Sequence, residues 1–513
     1  MNRLLVVATL AASMAGCAVN PVTGKPDFMM VSESQELALG EQNYAPMQQA
    51  EGGVYDIDPK LTAYVSGVGN KLAAVSDRPL PYEFVVLNNS VPNAWALPGG
   101  KIAVNRGLLT ELNSEAELAA VLGHEIVHAA AKHSAQQMSR GVILQTAVLA
   151  TAMVTGDNSF GQFAVGSAAV GAQLLNSTYG RGAELESDKY GMTYMSRAGY
   201  DPSGAVTLQE TFVRLSEGQD ADWLSGLFAS HPPSRARVDA NIKTAASLPP
   251  GGELGVERYQ AAMKETMAAK PAYDAYDDGR KALAEEKSEE ALALANKAIE
   301  LFPQEGHFYA LRGDVRIVDG KYDMATKNYD SAIKRRDDYF YYYLRRGLAE
   351  KELGDLDTAK SDLERSIEML STGPAHFVLG DIEAEQGNDR KAMEHYAIVA
   401  KSGGEIGQAA TQKLQRLQLP YSPGEVIPRR CDADSAGNLV VSVKNTTAWA
   451  IEGVQIEVSY TDASGRTQSV RQAISGRIAP DAIASVNTGL GPYTGGSCPA
   501  EVVAARFAEL ADG

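Results

Sequence analysis

His124 and His128 flank Glu125, Ile126 and Val127, a spacing that supplies most of a zinc site in five residues. On a helix, positions four apart lie about 40° apart around the axis, so both imidazoles project from one face and can hold one ion. Glu125, beside the first imidazole, would reach a water on that ion. Zinc lowers the pKa of such a water from about 15.7 to roughly 7, and a neighbouring carboxylate can take its proton as it attacks a peptide carbonyl. The chemistry offered is metal-assisted hydrolysis with Glu125 as general base.

That chemistry requires a helix, and the helix has a legible start. Ser114 stands as N-cap with Glu117 three residues on, ahead of the apolar run Leu118 to Leu122, which reads as a capping box. A catalytic zinc also needs a third protein ligand and an open position. The metzincin extension is excluded, because Ala131 and Ser134 stand where it needs Gly and His. His133 falls about 140° further round a continued helix and reads as a surface or outer-sphere residue. Glu184 and Asp188 are again four apart on a helical stretch. One can bind the metal while the other holds a ligand imidazole by its free N–H.

These motifs together resemble the HtpX-like and CAAX-prenyl-protease-like family of membrane-associated zinc peptidases, in its lipoprotein branch with tetratricopeptide repeats. The likeness rests on His124-Glu125-x-x-His128, on Glu184-x-x-x-Asp188, and on Asn93 to Ile102 followed by Arg106-Gly107-Leu108-Leu109. Ser230-His231-Pro232-Pro233 with Arg235 and Arg237, and the head Cys17 to Gly24, extend it. The resemblance implies one Zn2+ per chain held by His124, His128 and Glu184, with Glu125 as base and Asp188 behind a ligand. It places His231 near the metal, either steadying the oxyanion or blocking the open position at rest. Asn93, Ala94, Trp95 and Ala96 would form an edge strand that pairs with an extended substrate.

The two ends set the compartment. Met1-Asn2-Arg3, an apolar stretch to Ala12, and Met14-Ala15-Gly16-Cys17 read as a signal peptide over 1–16 with Cys17 as a lipidation site. An acylated Cys17 would anchor the mature chain. Ala18 after the cysteine favours the periplasmic face of the outer membrane of a Gram-negative bacterium over the inner membrane. Cys431 and Cys498, the remaining cysteines, read as one disulfide in an oxidising compartment. A net charge of -17 excludes nucleic acid and attraction to anionic lipid.

The 513 residues divide into the signal peptide, a lipidated segment 17–49, a peptidase domain 50–250, a linker 251–272, repeats 273–418 and a tail 419–513. The peptidase expectation is an α-rich domain with a small antiparallel sheet, strands falling at Tyr82 to Leu87 and Lys101 to Asn105. Between the metal-bearing helices, Gly141 to Leu175 reads as a packed apolar hairpin, too short in each half to span a membrane. Ala291, Ala325, Ala359 and Ala392 recur at steps of 34, 34 and 33 residues. Gly313, Gly347 and Gly380 keep step, as do Gly320, Gly354 and Gly387. This is the helix–turn–helix period of tetratricopeptide repeats. Tyr339 to Tyr343 would divide between the repeat core and its groove. Beyond Pro420, Val441, Val443, Val454, Ile456 and Val458 alternate as in strands, predicting a disulfide-closed, immunoglobulin-like β-sandwich.

The expected function is a lipid-anchored zinc endopeptidase of the bacterial envelope that degrades misassembled envelope or outer-membrane proteins. The repeats would bind clients or a partner protein. The alternative is a repeat-based adaptor or chaperone whose peptidase is latent or dispensable.

Overall fold

The structure is a computed structural model describing residues 17–29, 31–137, 179–218, 231–461, 465–493 and 499–508. The signal segment, the Gly141 to Leu175 stretch, Ser230 and Cys498 lie outside those residues. No described helix is long and apolar enough to cross a membrane. The chain forms two compact units, Met1–Leu370 and Ser371–Gly513.

The first unit opens with a hairpin of β1 (Cys17–Val19) and β2 (Pro26–Phe28). Helix α1 (Glu33–Ala50) follows, started by a capping box at Ser32, and then α2 (Pro59–Ala73), capped by Asp58. The small sheet is present, from β3 (Glu83–Leu87), β4 (Ala94–Leu97) and β5 (Lys101–Asn105) in the order β3-β5-β4. It is mixed rather than purely antiparallel: β4 runs against β5, whereas β3 runs parallel to it. β4 therefore sits at an edge.

Helices α3 (Arg106–Leu109), α4 (Glu115–Ala130), α5 (Arg181–Arg197), α6 (Ser203–Gly218) and α7 (Arg235–Ser247) pack around that sheet. Every residue of α4 is buried, which makes it the central helix of the unit. Its cap differs in one detail from the capping box. Ser114 Oγ does accept from the Glu117 amide, but the Glu117 carboxylate receives the Asn113 amide, one residue before the cap.

The stretch 251–272, expected as a linker, is instead mostly the first half of a long helix, α8 (Val256–Ala284). Tyr259, Met263, Ala269, Ala272 and Tyr273 of this helix join the same core as Leu118, Leu122 and Ile126 of α4. Burial of one face holds α8 together across Pro271, so the peptidase region and the first repeats share a core. The following helices are α9 (Ser288–Leu301), α10 (Gly306–Val318), α11 (Tyr322–Ile333), α12 (Phe340–Leu353) and α13 (Leu356–Met369). With α8 they make three helix pairs.

The second unit holds α14 (Gly373–Glu385), α15 (Asp389–Val399) and α16 (Gly404–Gln418). The repeat positions behave as the period requires. Ala291, Ala325, Ala359 and Ala392 are fully buried, and Gly320, Gly354 and Gly387 end their helices at φ +71°, +83° and +76°, where a side chain is strained. A short helix, α17 (Pro423–Val426), leads into strands β6 (Arg429–Ala433), β7 (Leu439–Lys444), β8 (Ile451–Thr461), β9 (Thr467–Ile474), β10 (Ile483–Asn487) and β11 (Ala500–Phe507). They form two three-stranded antiparallel sheets, β10-β7-β6 and β11-β8-β9, around a core of Val441, Val443, Val454, Ile456 and Val458. Cys431 of β6 is disulfide-bonded; Cys498, its expected partner, is outside the described residues.

The seam between peptidase and repeats in the first unit is polar. The buried Glu305 carboxylate accepts from Asn88 Nδ2 at 2.8 Å, the Tyr273 hydroxyl and the His307 amide. His307 donates from Nε2 to the Gly52 carbonyl at 3.0 Å and takes the Tyr342 hydroxyl on Nδ1. Burial, with the nearby Arg336 and Arg106 guanidinium groups, outweighs the Glu305 carboxylate and the Gly52 carbonyl and holds it neutral, with its pKa lowered to about 4. Below about pH 6.5 the unfolded chain takes up this proton first, so stability falls with pH down to about 4, by about 2 kcal/mol at pH 5. Denaturant titrations at pH 7 and pH 5 should show this loss, and His307→Asn should flatten the dependence by that amount.

Candidate active site

The closest approach of two helices fixes the site. Gly123 of α4 faces Gly191 of α5, and a Cβ on Gly191 would sit 3.0 Å from the Gly123 carbonyl carbon and the His124 amide. The two bare backbones therefore bring His124 and Asp188 within a hydrogen bond of each other. His124 Nδ1 lies 2.9 Å from Asp188 Oδ1, so its Nε2 points inward with its lone pair free.

Four donors converge there: one atom each from His124, His128, Glu184 and His231, all within 4.8 Å of one another. His124 Nε2 is 3.0 Å from His128 Nε2 and 3.3 Å from His231 Nδ1. Glu184 Oε1 is 3.0 Å from His231 Nδ1 and 3.3 Å from His128 Nε2. Tetrahedral zinc with bonds near 2.05 Å needs donor separations of about 3.3 Å. Nitrogen and carboxylate donors at these separations fit that ion without rearrangement.

Electrostatics favour a cation in the same place. Burial alone would raise Glu184, yet the imidazoles of His231 and His124 overcome it and hold its carboxyl well below the usual range. Burial drives His128 strongly toward its neutral, metal-binding form. Arg237, on α7, bridges both acids: Nη1 is 2.9 Å from Glu184 Oε2, and Nη2 and Nε are each 2.7 Å from Asp188. Against the cost of burying Asp188, this guanidinium and His124 keep it ionised. Removing one member of such a buried set typically costs about 3–5 kcal/mol.

Glu125 is buried beside the cluster but donates no atom to it. Its Oε2 has no hydrogen-bond partner among the described residues, and Oε1 is 3.7 Å from His231 Nε2. Burial raises its pKa. Glu125 lines a cavity of ≈ 30 Å³ together with Ala94, Val121, His124 and Phe212, with room for a water. Ala94 ties that cavity to edge strand β4; Trp95 and Ala96 continue the strand, and Asn93 precedes it, accepting the Asn105 amide.

The structure thus gathers His124, Glu125, His128, Glu184, Asp188 and His231, all anticipated from sequence. The side chain of Cys17 is not described. One residue escaped sequence reasoning, and another reaches its outer-sphere place by a different route than expected. Arg237 carried only a motif resemblance, with no hint that it bridges two acids. His133 does not lie on a continued helix, because α4 stops at Ala130 and Lys132 adopts φ +61°. That reversal turns His133 back, buried, with Nδ1 3.0 Å from His128 Nδ1.

A His-Glu-x-x-His helix with a glutamate oxygen from a second helix beside its two imidazoles is the arrangement of a metallopeptidase domain. Residues 59–245 match Peptidase family M48 and residues 340–369 match a tetratricopeptide repeat. The chain carries an M48 metallopeptidase domain followed by tetratricopeptide repeats. It is 29% identical over 261 residues to a putative beta-barrel assembly-enhancing protease of Vibrio cholerae, covering 48% of this chain and 53% of that protein. Against the mitochondrial metalloendopeptidase OMA1 of Arabidopsis thaliana it is 32% identical over 191 residues, 35% of this chain and 36% of the relative. Against the metalloprotease YcaL of Escherichia coli it is 29% identical over 251 residues, 46% of this chain and 93% of the relative. The matches thus span about half the length of the first relative and about a third of the second.

Proposed function

We propose that this protein is a zinc-dependent endopeptidase that cleaves misfolded or misassembled proteins of the bacterial envelope, tethered to the membrane through Cys17. The observation that carries the reading is the convergence of His124, His128 and Glu184 donors next to a buried carboxylate oxygen with no partner among the described residues. Zinc bound to these donors would polarise the scissile carbonyl and acidify a water. Glu125 would then take the proton at Oε2, its burial keeping the carboxylate basic enough to do so. Asp188 and Arg237 hold His124 and Glu184 in place. Strand β4, at the end of the order β3-β5-β4, would be the place where an extended substrate adds to the sheet. The repeats over 273–418 would hold clients or a partner protein, and the tail over 419–513 would be a separate β-sandwich module. Crosslinking with a Glu125→Gln form tests the substrate class. Envelope proteins should be trapped on it; recovery of none above an inactive, metal-free control would overturn the assignment.

Similarity to a putative beta-barrel assembly-enhancing protease and to a metalloprotease supports this reading. Location at the periplasmic face of the outer membrane rests on Cys17 and Ala18. Cys17→Ser should move the protein from the membrane fraction to the soluble fraction. Retention in salt-washed membranes would refute a lipid anchor.

One observation favours the second reading, an adaptor with latent peptidase. His231 Nδ1 supplies a fourth donor to the cluster, and a zinc with four protein ligands lacks the open position that catalysis uses. His231 would then be a plug. His231→Ala should raise cleavage of an unfolded soluble protein several-fold while weakening zinc binding. A fall in cleavage at full zinc occupancy would instead give His231 the oxyanion role.

A further inference from the structure

His128 meets the metal position through Nε2, which leaves its Nδ1 to be held from behind. Its partner is not a carboxylate but His133 Nδ1, 3.0 Å away. The other nitrogen of His133, Nε2, lies 3.3 Å from Glu186 Oε1. The same oxygen accepts from Asn20 Nδ2 at 3.0 Å, across 166 positions of sequence. Only one proton arrangement satisfies the whole row when His128 Nε2 gives its lone pair to a metal. His128 Nδ1–H then donates to His133 Nδ1, and His133 Nε2–H donates to the Glu186 carboxylate.

Asn20 is built for this position. It is 2% exposed, and its Oδ1 accepts the Val22 and Thr23 amides at 2.9 and 3.2 Å. Its amide donates to the Lys25 carbonyl, and its own carbonyl accepts from Gly24. The turn between β1 and β2 thus fixes the asparagine so that only its Nδ2 faces outward, onto Glu186. A second bond, Gln136 Nε2 to Asp27 Oδ2 at 3.0 Å, seats the other arm of the hairpin.

We propose that the N-terminal hairpin is a working part of the metal centre. Asn20 is a positioning residue that acts through Glu186 and His133 to fix the tautomer and the ring plane of His128. Residues that orient a metal-ligating histidine typically change metal affinity 10- to 100-fold when lost. The inference rests on the zinc reading above for its ion, but its test reads binding rather than cleavage. Asn20 also lies three residues from Cys17, at most about 10 Å of chain, so a tether there would attach to the hairpin that supports His128.

The test is zinc affinity of the full chain, by competition with a chromogenic chelator, together with the unfolding midpoint of the metal-free protein. Asn20→Asp keeps the oxygen that makes the turn but loses the donor to Glu186, so affinity should fall about tenfold with the midpoint little changed. His133→Ala should lower affinity 10- to 100-fold. Glu186→Ala removes the oxygen shared by Asn20 and His133, so affinity should fall at least as far as in Asn20→Asp. Adding Asn20→Asp to Glu186→Ala should cost nothing further, because Asn20 acts through that oxygen. Affinity within twofold of wild type for both Asn20→Asp and His133→Ala, or a further tenfold loss when Asn20→Asp is added to Glu186→Ala, would overturn the proposal. If wild-type protein binds zinc tightly yet cleaves nothing, the peptidase reading fails and the relay stands.

Discussion

Glu125→Gln should bind zinc like the unsubstituted protein and cleave unfolded protein substrate about 10²–10⁴ times more slowly, the range lost with a general base. That is about 3–5.5 kcal/mol of transition-state stabilisation. Glutamine preserves the volume and one oxygen but cannot accept a proton. Zinc is retained because the four converging donors come from other side chains. Stability should not suffer either. The lost charge is buried, its Oε2 has no partner among the described residues, and burial already raises its pKa. Neutralising a buried carboxylate whose burial outweighs the help of His231, His124 and Arg237 removes a desolvation cost. Metal content by elemental analysis, together with the rate on an unfolded protein, separates the outcomes. Full zinc with undiminished cleavage would remove Glu125 from the chemistry.

Much of the site was legible because its signals are local. The spacing of His124 and His128, the Ser114 cap and the Glu184–Asp188 pair each sit within one helical segment, where period and capping translate directly into geometry. The repeats were legible for a different reason: small residues recur where helices meet and glycines where they end. Long-range contacts outside the recognised motifs were not legible. Asp188 finds Arg237 across 49 positions and Glu186 finds Asn20 across 166, and no periodicity encodes either. His133 does stand behind a ligand, one of the two places its spacing allowed, but it reaches there because a left-handed residue, Lys132, follows the end of the helix and not by the continued helix assumed. The stretch 251–272 looked like a linker because its composition is mixed and includes Pro271. Tertiary burial of Tyr259, Met263 and Ala269 outweighs that local weakness, as packing commonly does for helices. The Gly123–Gly191 contact carries a lesson of its own. Two unremarked glycines decide whether His124 can reach Asp188.

Glu184→Gln should have the opposite profile from Glu125→Gln, losing the metal and the activity together. Glu184 is the only anionic donor of the cluster and comes from α5, whereas His124 and His128 come from α4. An amide oxygen has the reach of the carboxylate but not its charge. The site would then offer three neutral imidazoles to a divalent cation beside the Arg237 guanidinium, which sits 2.9 Å from the former carboxylate. In the native protein the anion both binds the metal and offsets that arginine. Once it is neutral, the guanidinium opposes the incoming ion. Affinity should fall by more than about 100-fold, the upper end of what losing an outer partner alone costs. Millimolar zinc should refill the site only in part. The metal-free midpoint should fall, because one member of the buried set is lost, but Asp188 still pairs with Arg237 through two 2.7 Å bonds, so the fold should persist. Stoichiometric zinc surviving chelator challenge in Glu184→Gln would mean that the ion is held elsewhere, and the hydrolytic reading of this cluster would fall with it.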